Sequence, residues 1–152
     1  MFRKEVQEQF KKAGWSSGRN VQTTFNKIKG FEKFPQFLKD FLYEYGGLKL
    51  KTLTKYADGS LDFNALAKGY FLVNKYLTEP AYYGGEFTFP IAYYDLDNAT
   101  LECDADGKIY MSGDFPVLVS DDFKTGIEKV IMEDYSDTLQ WNPEIKQWVD
   151  EY

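Results

Sequence analysis

The chain has 152 residues, a net charge of −6 and no histidine. That length holds one domain with a core that needs no disulfide or metal staple, and the missing histidine removes the usual general base, proton switch and commonest metal ligand. A single cysteine, Cys103, excludes an intrachain disulfide and fits a reducing compartment.

Val6, Phe10 and Ala13, with Phe2 one turn earlier, recur at helical spacing and predict an amphipathic helix over 2–13. Gly14 supplies its left-handed stop, and Trp15 to Thr24 reads as a connector. A second helix starts near Pro35, which suits a first-turn position. Its stripe of Phe34, Phe37, Leu38, Phe41, Leu42 and Tyr45 runs into Gly46-Gly47. Leu48, Leu50 and, after a slip, Leu53 predict a half-buried strand, followed by a turn at Asp58-Gly59. Asp62 or Asn64 is placed to cap a third helix carrying Leu66, Tyr70, Val73 and Leu77, ending before Pro80.

Residues 82–85 read as loop, and strands are predicted at 87–94, 100–103, 108–112 and 117–119. Ser120 then caps a helix with Asp121 and Asp122 in its first turn and a stripe of Phe123, Ile127, Val130 and Ile131. Asn142-Pro143-Glu144 predicts a last helix through Trp148. No internal repeat, low-complexity tract or linker interrupts this order. The reading is a single α+β domain over 1–152, with a mixed or antiparallel sheet and packed helices.

Glu102 to Gly107 has the start of a calcium loop, with oxygen ligands at positions one, three and five and glycine at six. Position twelve, where a bidentate glutamate belongs, is Gly113. A hairpin explains the segment better. A three-residue loop of Ala105, Asp106 and left-handed Gly107 pairs Cys103 with Ile109, Leu101 with Met111 and Glu102 with Tyr110. That register separates the apolar face from the polar one, whereas a two-residue turn mixes them. Cys103 then lies on the apolar face, without a histidine to activate it. The neighbouring pairs Asp95/Asp97, Asp104/Asp106 and Asp121/Asp122 suit turns and helix starts rather than an acid–base dyad. No phosphate-binding glycine loop is present. The expectation is a protein without catalytic residues, metal or cofactor.

Charge is unevenly spread: residues 1–94 hold 14 Lys/Arg and 9 Asp/Glu, whereas 95–152 hold 4 and 15. An acidic half disfavours nucleic acid and suits a basic protein partner, though the same charge also serves solubility. Tyr82, Tyr83, Tyr93 and Tyr94 cluster beside Asp95 and Asp97. Tyrosine anchors with an acidic rim fit an interface, and filling of the core by alternate members is the other reading. The expected contact set is Tyr82, Tyr83, Tyr94, Asp95 and Asp97, joined by Glu133, Asp134 and Asp137 from the acidic segment after the helix that Ser120 caps.

Several short motifs resemble the third subfamily of the SUKH superfamily of immunity proteins. These are Ala13-Gly14-Trp15 with Gly18-Arg19 and Val21, and the helix that runs into Tyr45-Gly46-Gly47-Leu48. The Phe89-Pro90-Ile91 strand and the hairpin with Leu101, Asp104, Gly107, Ile109 and Tyr110 complete the series. They keep the family's order from residue 13 to 110, with a closing helix to 131. Ala92 stands where glycine follows Pro-Ile in the family, and Tyr45 where phenylalanine is usual. The tail from Tyr135 to Tyr152 lies outside the motifs. The resemblance implies an α+β fold, no catalysis, and protection of a bacterium by binding a toxin; a regulatory adaptor on the same fold is the alternative. It implies structural roles for Gly14, Trp15, Arg19, Gly46, Gly47, Leu48, Pro90 and Gly107. The start of the chain has no apolar run able to serve as a signal peptide and no stretch long enough to span a membrane. We therefore expect a cytoplasmic protein, monomeric or weakly dimeric, that binds a cognate toxin and neither nucleic acid nor membrane.

Overall fold

The computed structural model describes residues 1–54 and 58–150. Among these residues eight strands follow one another in sequence order as neighbours in one sheet, every pair antiparallel. They are β1 (Lys49–Lys51), β2 (Ser60–Asp62), β3 (Thr88–Tyr94), β4 (Ala99–Asp104), β5 (Ile109–Ser112), β6 (Val117–Ser120), β7 (Leu139–Asn142) and β8 (Gln147–Val149). The helices are α1 (Lys4–Lys12), α2 (Gln22–Phe25), α3 (Gln36–Tyr45), α4 (Val73–Thr78) and α5 (Phe123–Met132). The fold class is α+β, and the sheet is antiparallel rather than mixed.

One face of the sheet carries the main core. Cross-strand rows of Phe89, Cys103 and Ile109, and of Ala92, Leu101 and Met111, meet α1, α3 and α5. The helical stripes supply rings to this layer. Phe10 and Phe41 lie 6.4 Å apart, Phe41 and Phe63 5.6 Å, and Phe41 and Phe123 5.3 Å. Such edge-to-face and tilted pairs add to the burial of each ring. The hairpin register is the three-residue one, with Cys103 opposite Ile109, Leu101 opposite Met111, Glu102 opposite Tyr110, and Gly107 at φ +92°. Cys103 is fully buried, and desolvation raises its thiol well above the ordinary range.

Four local expectations are corrected. The connector after Trp15 contains the short helix α2, whose Phe25 is buried. Residues 60–62 form β2 rather than a cap. The Asp62 carboxylate accepts from the Asn64 amide at 2.8 Å and the Lys68 ammonium at 2.7 Å, which holds the following residues in turns. Helix begins only at Val73, and Tyr70 is exposed. Leu53 lies beyond β1 and is 39 % exposed, so the strand does not continue through a slip. Before α5 the cap is Asp122, which accepts from the Thr125 amide at 2.9 Å, while Ser120 accepts from the Asp122 amide.

The largest correction is at the C-terminal end. Asn142-Pro143-Glu144 does not open a helix. The Asn142 side chain accepts from the Glu144 amide at 3.0 Å and shapes a turn, Lys146 takes φ +55°, and Trp141 pairs with Trp148 across β7 and β8. The two indoles stand 5.3 Å apart. Cross-strand aromatic contact outweighs the helix-start signal. Trp148 also reaches Tyr110 at 5.7 Å and Tyr83 at 6.0 Å, so the hairpin is anchored to the sheet's second face. Replacing Trp148 by Ala is expected to cost about 2 kcal/mol, less than a fully buried tryptophan, and to lower Tm by roughly 5 °C. Urea and thermal unfolding measure this; an unchanged Tm would mean that the hairpin adds nothing to the domain.

Candidate partner-binding surface

The sheet's second face is polar and aromatic. Thr88 and Asp104 form one cross-strand row, Pro90, Glu102 and Tyr110 the next, and Tyr93, Thr100 and Ser112 the third. Glu102 is 4 % exposed and lies at the centre. One of its carboxylate oxygens accepts from Tyr83 and, at 2.8 Å, from Thr88. The other accepts from Ser112 at 2.8 Å and from Tyr76 at 3.2 Å. Four hydroxyls thus fill the acceptor sites of one carboxylate. Asp104, also 4 % exposed, accepts from the Asp106 and Lys108 amides and from Tyr110, each at 3.0 Å. Its oxygens serve the hairpin loop, which accounts for the calcium-loop pattern. Among the described residues neither carboxylate pairs with a cation, and no group of three or more His, Cys, Asp or Glu is placed to hold a metal.

One groove opens over this layer, and a second opens beside it at the end of the sheet, over Ala99, Met111 and Val117 of the helix face. The larger, about 570 Å³, runs between α4 and the loop after it, with Glu102, Tyr76 and Ser112 beneath and Leu72 and Tyr82 at its sides. The second, about 490 Å³, is lined by Asp97, Asp114, Phe115, Tyr135 and Thr138, and shares Ser112 with the first. The Tyr82 hydroxyl donates to the Gly113 carbonyl at 2.9 Å and so bridges their walls. Tyr70 (58 % exposed), Leu72 (74 %), Tyr82 (71 %) and Phe115 (75 %) therefore gather around two adjoining depressions. Rigid, exposed, apolar side chains beside acids are the composition of a protein-binding surface.

The residues expected from sequence to make contact divide into two groups. Tyr82 is exposed at this surface, and Asp97 lines its second groove. Asp95 lies one turn away, where its carboxylate holds the Ser60 amide and hydroxyl. Asp134 and Asp137 are exposed nearby in the chain after α5, and Asp134 accepts from Ser136. Tyr83 and Tyr94 are buried instead, at 3 % and 0 % exposure. Tyr83 binds Glu102, and Tyr94 donates to Glu133, which caps α5 in the left-handed conformation. These two tyrosines hold the surface from behind. Sequence reasoning missed Leu72, Phe115 and Glu102. The signal for Glu102 was its register: a charged residue flanked on both neighbouring strands by Pro90 and Tyr110 has little access to water.

A family model described as SUKH-3 immunity protein matches residues 2–133. The chain belongs to the SUKH-3 immunity protein family. No curated protein and no solved structure matches it. The SUKH-3 motif residues serve the frame rather than the grooves. The Trp15 indole donates to the Glu44 carboxylate at 3.0 Å and Arg19 to the Glu44 carbonyl at 2.7 Å, so both clamp the end of α3. The guanidinium thereby satisfies a helix-terminal carbonyl at the negative end of the dipole. A Cβ on Gly46 would stand 2.4 Å from Phe25, and Gly47 takes φ +87°. Leu48 is buried, and Pro90 flanks a bulge in β3. The hairpin β7–β8, which packs Trp148 against Tyr83 and Tyr110, lies beyond the matched residues.

Burial, followed by the neighbouring carboxylates, raises the phenol pKa of Tyr76, Tyr83 and Tyr110 above the ordinary 10.0. Tyr45, raised mainly by burial, is pushed up to about 12. Unfolded phenols lose their protons near pH 10, whereas these keep theirs, so their contribution to stability is complete below that pH and is lost as pH climbs beyond it. Alkaline titration followed at 295 nm and by far-ultraviolet circular dichroism is expected to show these phenols ionising together with unfolding. Full ionisation near pH 10 in a still-folded protein would contradict the network.

Proposed function

We propose that this SUKH-3 protein protects its host by binding a cognate bacterial toxin directly, without catalysis, through the surface around Tyr82 and Phe115. The observation that carries this reading is the gathering of four exposed apolar residues over the two grooves with acids between them. Asp97, Asp114 and Glu79 border the grooves, and among the described residues Lys75 is the one cation lining the first groove. A toxin with a basic surface is the complementary partner. Opposite charge speeds encounter, and burial of Tyr82 and Phe115 slows release. A stable complex buries about 1,600 Å² in total, enough to span both grooves and reach Asp95, Asp134 and Asp137.

Binding alone suffices, because the two buried carboxylates of this face are already saturated by hydroxyl and amide donors. The lone thiol is buried and no helix among the described residues is long and apolar enough to cross a membrane. Both support action in the cytosol on a toxin that works there.

The test is co-expression with the toxin encoded beside the gene, together with binding kinetics. Tyr82→Ala and Phe115→Ala are each expected to weaken binding about 30-fold, chiefly through faster dissociation. Asp97→Lys with Asp114→Lys is expected to slow association at low salt, with the difference shrinking at high salt. Full protection by a Tyr82→Ala/Phe115→Ala double variant would sink the proposed surface.

A further inference from the structure

We propose that the groove between Leu72 and Tyr82 seats a single arginine side chain of the bound protein, its guanidinium lying over the Glu102 carboxylate between tyrosine rings. This rests on the reading that the surface binds a protein, and it names the chemistry that the first groove selects.

Three observations lead to it. First, Glu102 is a buried carboxylate whose four partners are all neutral hydroxyls, and among the described residues no ammonium or guanidinium lies within 4.0 Å of it. Hydroxyls satisfy its lone pairs but place no opposite charge beside it, so the position is open to a cationic donor. Second, the walls are aromatic. Tyr70, Phe71 and Tyr76 form one run, with centroids 5.4 Å and 6.4 Å apart, and Tyr82 stands edge-on to Tyr83 at 5.2 Å. Ring faces beside a carboxylate favour a cation, and a planar guanidinium stacks on them better than an ammonium does. Third, about 570 Å³ far exceeds one side-chain head and leaves room for the arginine stem along Leu72.

The Tyr76 hydroxyl, at 3.2 Å, is the longest of the four bonds to Glu102, and Tyr76 itself lines the groove. It is the donor that an arriving N–H replaces, so a neutral hydrogen bond is exchanged for a charge-assisted one. Lys75 lines the same groove without meeting Glu102 or Glu79 within 4.0 Å. Its ammonium repels an incoming cation, and removing it should ease entry.

The experiment uses the whole chain and no toxin. N-acetyl-L-arginine methylamide is titrated at constant ionic strength, and amide shifts are followed by two-dimensional NMR. The uncharged isostere N-acetyl-L-citrulline methylamide is the control. Saturable shifts centred on Tyr76, Tyr82 and Ser112 are expected with the arginine probe, with the citrulline probe at least about 10-fold weaker, the size of one charge-assisted hydrogen bond. Glu102→Gln should weaken the arginine probe by a similar factor, and Lys75→Gln should tighten it about 2-fold. Because Glu102→Gln can disturb the hydroxyl network, the exposed Tyr82→Ala provides a second loss variant whose fold is not at stake. Equal binding of the two probes, no saturable shift with arginine, or unchanged binding by Tyr82→Ala would each overturn the proposal. None of these results would affect the toxin-protection assay, so the two readings fail separately.

Discussion

A charged side chain in the middle of a sheet face has to be satisfied, and in this protein that requirement organises everything outside the main core. Glu102 draws Thr88 from β3, Ser112 from β5, Tyr76 from α4 and Tyr83 from the loop beyond it. Each of these donors comes from a different element. α4 is only six residues long and buries no residue fully; Val73 and Leu77 pack against the main core on one side, and the bond from Tyr76 to Glu102 ties the other side to the polar face. The first groove is the space left between elements held in this way. A polar network that is fully satisfied fixes geometry more sharply than apolar contact does, because every partner has a required direction.

The two faces of the sheet therefore divide the work. The helix face is close-packed with phenylalanine and aliphatic side chains and supplies stability. Its motif residues, such as Trp15 and Arg19 on Glu44, secure helix ends and loops rather than any site. The other face carries hydroxyls, carboxylates and exposed rings. Tyr94 belongs to the helix face: it is buried in the core row with Ala99, and its hydroxyl reaches Glu133 at the end of α5, close to the acidic chain that follows. The same residue type thus acts as core filler, as hydrogen-bond donor to a buried acid and, at Tyr82, as exposed contact. Composition alone could not assign these roles.

Much of the frame was legible in the sequence for physical reasons. α1, α3 and α5 have long apolar stripes, and the Leu101–Met111 hairpin admits one register that sorts its faces. The segments that failed have competing signals. Asp62 is a good helix cap by type, but its carboxylate is used by Asn64 and Lys68 to shape a turn after a strand. Asn142-Pro143-Glu144 is a good helix start, but Trp141 and Trp148 gain more by facing each other across two strands. Both failures are tertiary or local side-chain contacts overriding a short propensity signal. At the candidate surface, Tyr82 and Asp97 were identifiable because turns expose what they carry. Tyr83 was not, since only the position of Glu102 decides that one ring of the Tyr82-Tyr83 pair turns inward.

The C-terminal hairpin bears on how this surface is held in place. It lies outside the matched residues 2–133, yet Trp148 packs on Tyr83 and Tyr110 and faces Gly84, where a Cβ would stand 3.2 Å from its indole nitrogen. Tyr83 is one of the four donors to Glu102, and Tyr82 beside it is the exposed wall of the first groove. Trp148 therefore backs the ring of Tyr83 and, through it, the loop that carries Tyr82. The matched residues supply β1 to β6 and the buried acid, and the hairpin of β7 and β8 holds that loop against the sheet from the far side of Tyr83, while the main core makes no use of it.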